Sequence, residues 1–398
     1  MNKKISLGAA ISFMAIIAAI TFTLTMIFSL NIFNSKIYNV SDRENMYTKL
    51  AEIDKLVRQN YQGTIDEDLL LDAISKGYAQ GLGDKYAQYY TAEQLSKETD
   101  SNNGQLSGVG VTATVDESGY IRIVGVYDDS PASVAGFKEN DLIIKVNGED
   151  VKAIGYQAAM EKIQGEAGTK VKLVIRRDGV DQQETELVRK KIELPSVYSR
   201  MIGENGYIQI TSFSNNTVNQ FSDAVDSLMS KGAKALIFDL RNNGGGTLDS
   251  VTKMLDKLLP KGVIATYTGA DGETKPLANS DANEVKLPMV TLTNASTASA
   301  SELFVAALRD YEKTQVVGTT TYGKGVMQTT YSLKDGSGIK FTTAKFNPPK
   351  SENFNGVGIK PDYEVTLTVE QEKNLDNLDE NTDPQLKKAV EVANSLHQ

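Results

Sequence analysis

The chain has 398 residues, a net charge of −9, 40% hydrophobic and 23% charged residues, a single histidine (His397) and no cysteine. That length leaves room for two or three domains of ordinary globular material, and the acidic balance argues against nucleic acid as the main partner. Without cysteine, and with one histidine, there is no disulfide framework, no thiol nucleophile, no Ser-His-Asp triad and no His/Cys zinc site, so a nucleophilic Ser or Thr would need lysine as its base.

Lys3 and Lys4 precede an uncharged run from Ile5 to Ser35, rich in Ile, Ala, Phe, Leu and Met. About 20 apolar residues cross a bilayer as a helix. The paired lysines favour a cytoplasmic N-terminus, with everything after Lys36 outside the cell. A cleaved signal peptide has an apolar core of only about 7–15 residues and an A-x-A-like site, which this run lacks, so it reads as an uncleaved, single-pass signal-anchor over residues 1–36.

Residues 44–98 read as a helical segment, because Tyr47, Leu50, Ile53, Leu56 and Val57, then Leu69, Leu70, Ala73 and Ile74, recur at three- and four-residue spacing. Ser96 to Gly104 reads as a polar break. From Leu106 short β-type runs follow: Gly108 to Thr112, Tyr120 to Val126, Leu142 to Val146 and Lys170 to Arg176, with a helix expected at Tyr156 to Ile163. These make a small β-rich domain over 104–185. After Leu194-Pro195 the rhythm becomes βαβ, predicting an α/β domain over 195–365, and an acidic, then amphipathic tail fills 366–398.

Several motifs need weighing. Gly318-Thr-Thr-Thr-Tyr-Gly323-Lys324-Gly325 approaches a phosphate-cradling loop but offers Gly325 where a Ser or Thr should hold Mg²⁺, and a β-like run follows it, so no nucleotide is expected. Ser250-Val-Thr-Lys253 has the S-x-x-K form of penicillin-binding enzymes without their companion motifs, so Lys253 reads as a solvent-facing helix residue. Gly244-Gly245-Gly246, between a buried-type strand and a helix, can expose N–H groups as an oxyanion hole does. Ser299 stands where a strand-like segment meets a helix-like one, and Lys324 lies between two glycines. Each alone is bland, an N-cap and a turn lysine; with the glycines and Gln328 they form a coherent acyl-transfer set.

The motifs G-L-G-D-K-Y-A-Q-Y-Y (81–90), L-S-G-V-G-V (106–111), S-P-A-S-V-A-G-F-K-E-N-D-L-I-I-K-V-N-G (130–148), F-D-L-R-N-N-G-G-G (238–246), T-A-S-A-S-E (297–302) and G-T-T-T-Y-G-K-G-V-M-Q (318–328) occur in this order. So do G-Y-I-Q-I-T-S-F (206–213) and G-V-G-I-K-P-D (356–362). Together they resemble the C-terminal processing peptidases (tail-specific proteases), Ser–Lys endopeptidases that carry a PDZ domain. The resemblance covers roughly Met46 to Val365 and implies a multidomain α+β and α/β chain, with a PDZ-like domain placed before a crotonase-like α/β peptidase core. It makes Ser299 the nucleophile, Lys324 the general base and Gln328 the residue that orients the lysine. Asp310 matches a position sometimes counted as functional, and a structural part is expected for it. The family's usual Y-x-T-P-S-G segment reads Phe346-Asn-Pro-Pro-Lys-Ser here, which puts substrate contacts near Pro348 in doubt.

The candidate oxyanion donors are the N–H groups of Ala300, which opens a helix, and of Gly244 or Gly245. The PDZ-like domain is expected to hold a peptide carboxylate on the backbone of Gly108, Val109, Gly110 and Val111, beside a groove walled by the 156–163 helix. Substrates would then be proteins or peptides with free apolar C-termini. The membrane is a partner through the N-terminal helix, and no cofactor, metal or nucleotide is expected. Two other readings stand beside this one: a non-catalytic PDZ scaffold that presents protein tails, and an acyl hydrolase acting on cell-wall peptides.

Overall fold

The computed structural model describes residues 6–36 and 40–397. Lys3 and Lys4, on which the orientation of the anchor rests, lie outside the described residues. The chain divides into two units, Met1–Leu71 and Asp72–Gln398.

The first unit is helical. The apolar run forms α1 (Leu7–Lys36), in which Ser12–Ser29 has a mean hydropathy of 2.0 and contains no buried residue. It is long and apolar enough to cross a bilayer. Helix α2 (Val40–Asn60) carries the expected stripe, with Tyr47, Leu50, Ile53, Leu56 and Val57 all exposed. Arg58 near its end bonds Asp54 (2.8 Å) and Glu67 (2.6 Å), at the start of α3 (Glu67–Gly81).

The second unit begins within α3, at Asp72, and continues with β1 (Gln88–Tyr90) and α4 (Ala92–Asn102). The expected polar break from Ser96 is therefore mostly helix. A capping box between Thr91 and Gln94 starts α4, and Lys97 pairs with Glu93 at 2.7 Å one turn back, so polar residues build a surface helix there.

The β-rich domain runs through β2 (Gln105–Gly108), β3 (Val111–Val115), β4 (Ile121–Val126), α5 (Pro131–Val134), β5 (Leu142–Val146), β6 (Glu149–Asp150), α6 (Val151–Ile154) and α7 (Tyr156–Ile163). It closes with β7 (Lys170–Arg177), β8 (Val180–Asp181), β9 (Thr185–Val188) and β10 (Lys190–Glu193). Its sheet has the order β3-β4-β5-β7-β8, packed around Ile121, Ile123, Ile143 and Leu173. The strand expected over Gly108 to Thr112 is interrupted: Gly108 ends β2, Val111 begins β3, and Gly110 between them has φ +86°. A Cβ at Gly110 would lie 2.2 Å from that of Ser130, so glycine is required. The chain enters and leaves this domain through β2 and β10, which pair antiparallel from Lys190 against Gly108 to Glu193 against Gln105. Just outside that pair, the Leu194 N–H donates to the Gly104 carbonyl (2.8 Å).

The remaining elements are β11 (Val197–Ile202), β12 (Asn205–Ile210), α8 (Thr217–Ser230), β13 (Ala235–Asp239), α9 (Leu248–Leu258), β14 (Gly262–Gly269), β15 (Thr274–Ser280), β16 (Met289–Thr293) and α10 (Ala300–Asp310). They end with β17 (Thr314–Gly318), β18 (Val326–Ser332), β19 (Gly338–Asn347), β20 (Tyr363–Glu364), α11 (Val369–Lys373), a 3₁₀ turn (Leu375–Asn377) and α12 (Pro384–Leu396).

The main sheet has the order β11-β12-β13-β16-β17-β20, and β12, β13, β16 and β17 run parallel. Both its faces are covered, which is why β13 and β16 are apolar or buried at every position. On one face Phe213, Phe221 and Phe238 gather around Phe304 of α10, with centroids 5.3–6.2 Å apart. Truncating Phe304 to Ala should cost about 3–5 kcal/mol. On the other face Leu386, Ala389, Val392 and Ala393 of α12 pack on Ile237, Val290, Leu292 and Val317. A second sheet has the order β1-β19-β14-β15, with β18 against β19.

Candidate active site

The parallel crossover from β16 to α10 sets a sharp turn at the C-terminal end of the main sheet. Ser299 is its last residue and the N-cap of α10, with φ 59° and ψ −117°. A positive φ in a residue with a Cβ is strained, so the turn must be held by its surroundings. Thr297 Oγ1 donates to the Leu240 carbonyl (2.8 Å), the Ala298 N–H donates to the Asn243 carbonyl (3.0 Å), and Ser301 Oγ donates to the same carbonyl (3.0 Å). The Ser299 turn is thereby seated on the loop that leaves β13.

Gly245 packs directly beneath this turn. A Cβ there would lie 2.8 Å from the Ala298 carbonyl oxygen, 3.0 Å from the Ala300 nitrogen and 3.0 Å from the Ser299 Cβ. Its N–H donates to Asn243 Oδ1 (2.8 Å), so this expected oxyanion donor already has an acceptor. Gly244 is exposed, with open space where a side chain would be. Ala300, at the first helical position, has an amide with no intrahelical acceptor.

Glu302, fully buried, was not singled out by the sequence reading. Its Oε2 accepts the Ser299 N–H (2.9 Å) and the Lys324 N–H (2.8 Å), while Oε1 accepts Thr321 Oγ1 (2.5 Å) and the Gly323 N–H (2.7 Å). The Ser299 turn and the Lys324 loop are thus joined through one carboxylate. The available signal was the S-x-x-E spacing from Ser299 to Glu302, the sequence form of a capping box. Asn243, also unremarked, bonds the Ile210 carbonyl through Nδ2 (2.8 Å) and fixes the glycine loop.

Lys324 is half-buried, and its Nζ lies 4.5 Å from the centroid of Tyr86. Lys85 approaches the same ring at 4.8 Å. Burial, helped by the positive charges of Lys340 and Lys85, lowers the Lys324 ammonium below the usual lysine range, against the opposing charge of Asp84. Asp84 accepts the Tyr86 N–H (3.0 Å) and the Thr342 N–H (2.7 Å), fixing the loop that carries Tyr86 to β19. Burial raises the Asp84 carboxyl, but those hydrogen bonds outweigh it and hold the group below the usual carboxylate range. Gln328 donates to Thr342 Oγ1 (3.1 Å), and among the described residues it makes no bond to Lys324.

Asp310 accepts the N–H groups of Lys350 (2.8 Å) and Ser351 (2.9 Å), anchoring the segment after Pro348-Pro349. Lys253 is exposed and pairs with Asp249 (2.6 Å). The residues Gly108, Val109, Gly110 and Val111 are gathered in one buried stretch. The Val109 carbonyl accepts the Ala132 N–H (2.8 Å), and the Gly110 carbonyl accepts the Tyr127 N–H (3.0 Å). Strand β3 is an edge of its sheet, and α7 faces it, with Tyr156 Oη donating to the Ala113 carbonyl (3.1 Å).

The profile of peptidase family S41 matches residues 204–365, and a PDZ profile matches residues 122–177. The carboxy-terminal processing protease CtpA of Bacillus subtilis is 36% identical over 370 residues, which are 92% of this chain and 78% of that relative. The chain belongs to peptidase family S41. It is a serine peptidase of the C-terminal processing type and carries a PDZ domain, matched over residues 122–177. A probable CtpA-like serine protease of Staphylococcus aureus is 34% identical over 340 residues, 85% of this S41 peptidase and 68% of that relative. The photosystem II D1 C-terminal processing protease aligns over 87% of this chain and 90% of its own, at 24% identity and a TM-score of 0.49.

Proposed function

We propose that this S41 peptidase is a membrane-anchored, extracytoplasmic endopeptidase that selects protein C-termini through its PDZ domain and cleaves through a Ser299–Lys324 dyad. The observation that carries the reading is the shared Glu302 carboxylate, which holds the backbone of both residues in one frame. Neutral Lys324 takes the Ser299 proton as Oγ attacks the scissile carbonyl carbon. The resulting ammonium protonates the leaving amine as the C–N bond breaks, and water then repeats the exchange on the acyl-enzyme. A lysine at its ordinary pKa of about 10.4 is charged and no base, so a lowered Lys324 suits this work.

The Ala300 and Gly244 amides are the oxyanion donors in this reading, with Gly245 supplying clearance rather than a hydrogen bond. Losing one donor should raise the barrier by about 2.7–4 kcal/mol. Lys324 Nζ sits over the Tyr86 ring, and among the described residues it makes no hydrogen bond to Ser299, a contact that this mechanism requires. Gln328 fixes the β18–β19 hairpin through Thr342 and orients the lysine loop from there. The parallel β12-β13-β16-β17 order, with helical crossovers, supports a crotonase-like core. Helix α1 supports the anchor, and an apolar terminal side chain is expected in the groove between β3 and α7.

Digestion of a denatured protein tests the dyad: Ser299→Ala and Lys324→Ala should each fall to background while melting near the wild type. A Lys324→Ala enzyme that still cuts at a comparable rate would remove lysine from the mechanism. Protease added to intact cells should leave only a short membrane stub, and full protection of the catalytic domain would reverse the topology.

A further inference from the structure

The S41 profile ends at residue 365, yet the chain beyond it reaches the loop that carries Gly244 and Gly245. Arg241 lies two residues before Asn243 and is almost wholly buried. Its Nη2 and Nε bond the Asp239 carboxylate at 2.6 and 2.9 Å, while its Nη1 meets Asp383 Oδ2 (2.8 Å) and Gln385 Oε1 (3.0 Å), both at the start of α12. Asp239 Oδ1 in turn accepts the Arg241 backbone N–H (3.0 Å), and Asp239 Oδ2 accepts Tyr207 Oη (2.8 Å). Asp383 also caps α12 by accepting the Gln385 and Leu386 N–H groups (2.9 and 3.0 Å), and Gln385 Nε2 donates to the Val365 carbonyl (2.6 Å).

Apolar contacts alone would seat α12 on the sheet without the desolvation cost of a buried Asp–Arg–Asp group. What the charged group adds is direction. The tail sets the guanidinium, the guanidinium sets the Asp239 carboxylate, and that carboxylate shapes the backbone at Arg241, just before the Asn243 carbonyl that receives Ala298 and Ser301. We propose that Asp383 and Gln385 are positioning residues for catalysis, holding Arg241 and through it the Asn242–Gly245 loop in the geometry that receives the oxyanion. The inference rests on the Ser299–Lys324 reading, since it concerns the same site.

The test uses the full-length enzyme in detergent, with a short unstructured fluorogenic peptide and a peptide boronate that mimics the tetrahedral state. Asp383→Asn keeps the side chain's shape and removes its charge; Gln385→Ala is the milder variant should the first fail to fold. Either folded variant should lose about tenfold or more in kcat with KM within about twofold, and should lose boronate affinity in parallel, because the defect is confined to the transition state. A folded variant with wild-type kcat and boronate affinity overturns the proposal. So does a loss of rate that only tracks the fraction unfolded on melting. If Ser299→Ala does not abolish wild-type cleavage of the peptide, the dyad reading falls and takes this inference with it; if it does, and the tail variants cut normally, the inference alone falls.

Discussion

The Ser299 amide and the Lys324 amide share one acceptor, Oε2 of Glu302, at 2.9 and 2.8 Å. Two loops that are distant in sequence are thereby set at a fixed separation by a side chain that need not react. Preorganisation of this kind supplies catalytic power because misplacing reacting groups by about 1 Å can cost about a hundredfold.

Glu302→Gln follows from that geometry. The carboxylate accepts from four donors, and an amide can accept only through its one oxygen, turning its NH₂ towards the others. Stability should fall by about 1–3 kcal/mol, the cost of buried donors left unpaired. The kcat should fall by about a hundredfold in steady-state peptide cleavage, and a wild-type kcat would show that the shared acceptor is not needed for chemistry.

The pH profile reports on Lys324. In the proposed mechanism its neutral form is the base, so kcat/KM should rise with pH through the lysine's lowered pKa. Lys85 contributes to that lowering, so Lys85→Gln should move the acidic limb to higher pH. The linkage sign agrees. A buried lysine with a depressed pKa binds fewer protons folded than unfolded, so its destabilising effect is relieved as pH rises from that pKa towards about 10.4. A limb that stays in place in Lys85→Gln would assign the titration to another group.

Strain at Ser299 gives a separate handle. Its φ of 59° and ψ of −117° suit glycine better than any residue with a Cβ. Ser299→Gly should therefore be more stable than Ser299→Ala by about 1 kcal/mol, with both inactive. Equal melting temperatures for the two would mean that the turn stores no strain.

Tail selection can be read without altering the enzyme. Amidating a folded substrate's C-terminus removes the carboxylate that the Gly108–Val111 backbone would bind, and Asp or Lys at the last position empties the apolar groove. Both should slow cleavage of folded substrates more than that of short unstructured peptides, which reach the site untethered. Equal rates for free and amidated tails would detach the PDZ domain from substrate choice.

The strand-to-helix junction at Ser299 and Ala300, and the turn that places Lys324 between two glycines, were legible in the local sequence. Glu302, Asn243, Asp84 and Tyr86 were not, although each lies inside a motif that the sequence displays. Their work consists of contacts with chain far away, such as Asp84 with Thr342 or Glu302 with Lys324, and no local pattern announces the partner. The same cause hid β1, which finds its partner only in β19. The β14–β15 hairpin escaped notice because its second strand carries Pro276 and Asn279, residues depleted in strands. Ser96 to Asn102 was misjudged as loop because polarity was taken for irregularity; a capped surface helix needs no apolar stripe of its own when ion pairs line it.

The antiparallel pairing of β2 with β10 leaves the Gly104 carbonyl and the Leu194 N–H 2.8 Å apart, already joined by a hydrogen bond. Everything between them is a cassette whose two ends meet at one point. A two-residue bridge from Gly104 to Leu194 would close the peptidase backbone without stretching it, and the excised piece could be spliced into another protein's surface hairpin. Exchanging the segment between those two points would swap one PDZ module for another while leaving the rest of the peptidase in register, a replacement that needs two joins and no change at Ser299 or Lys324.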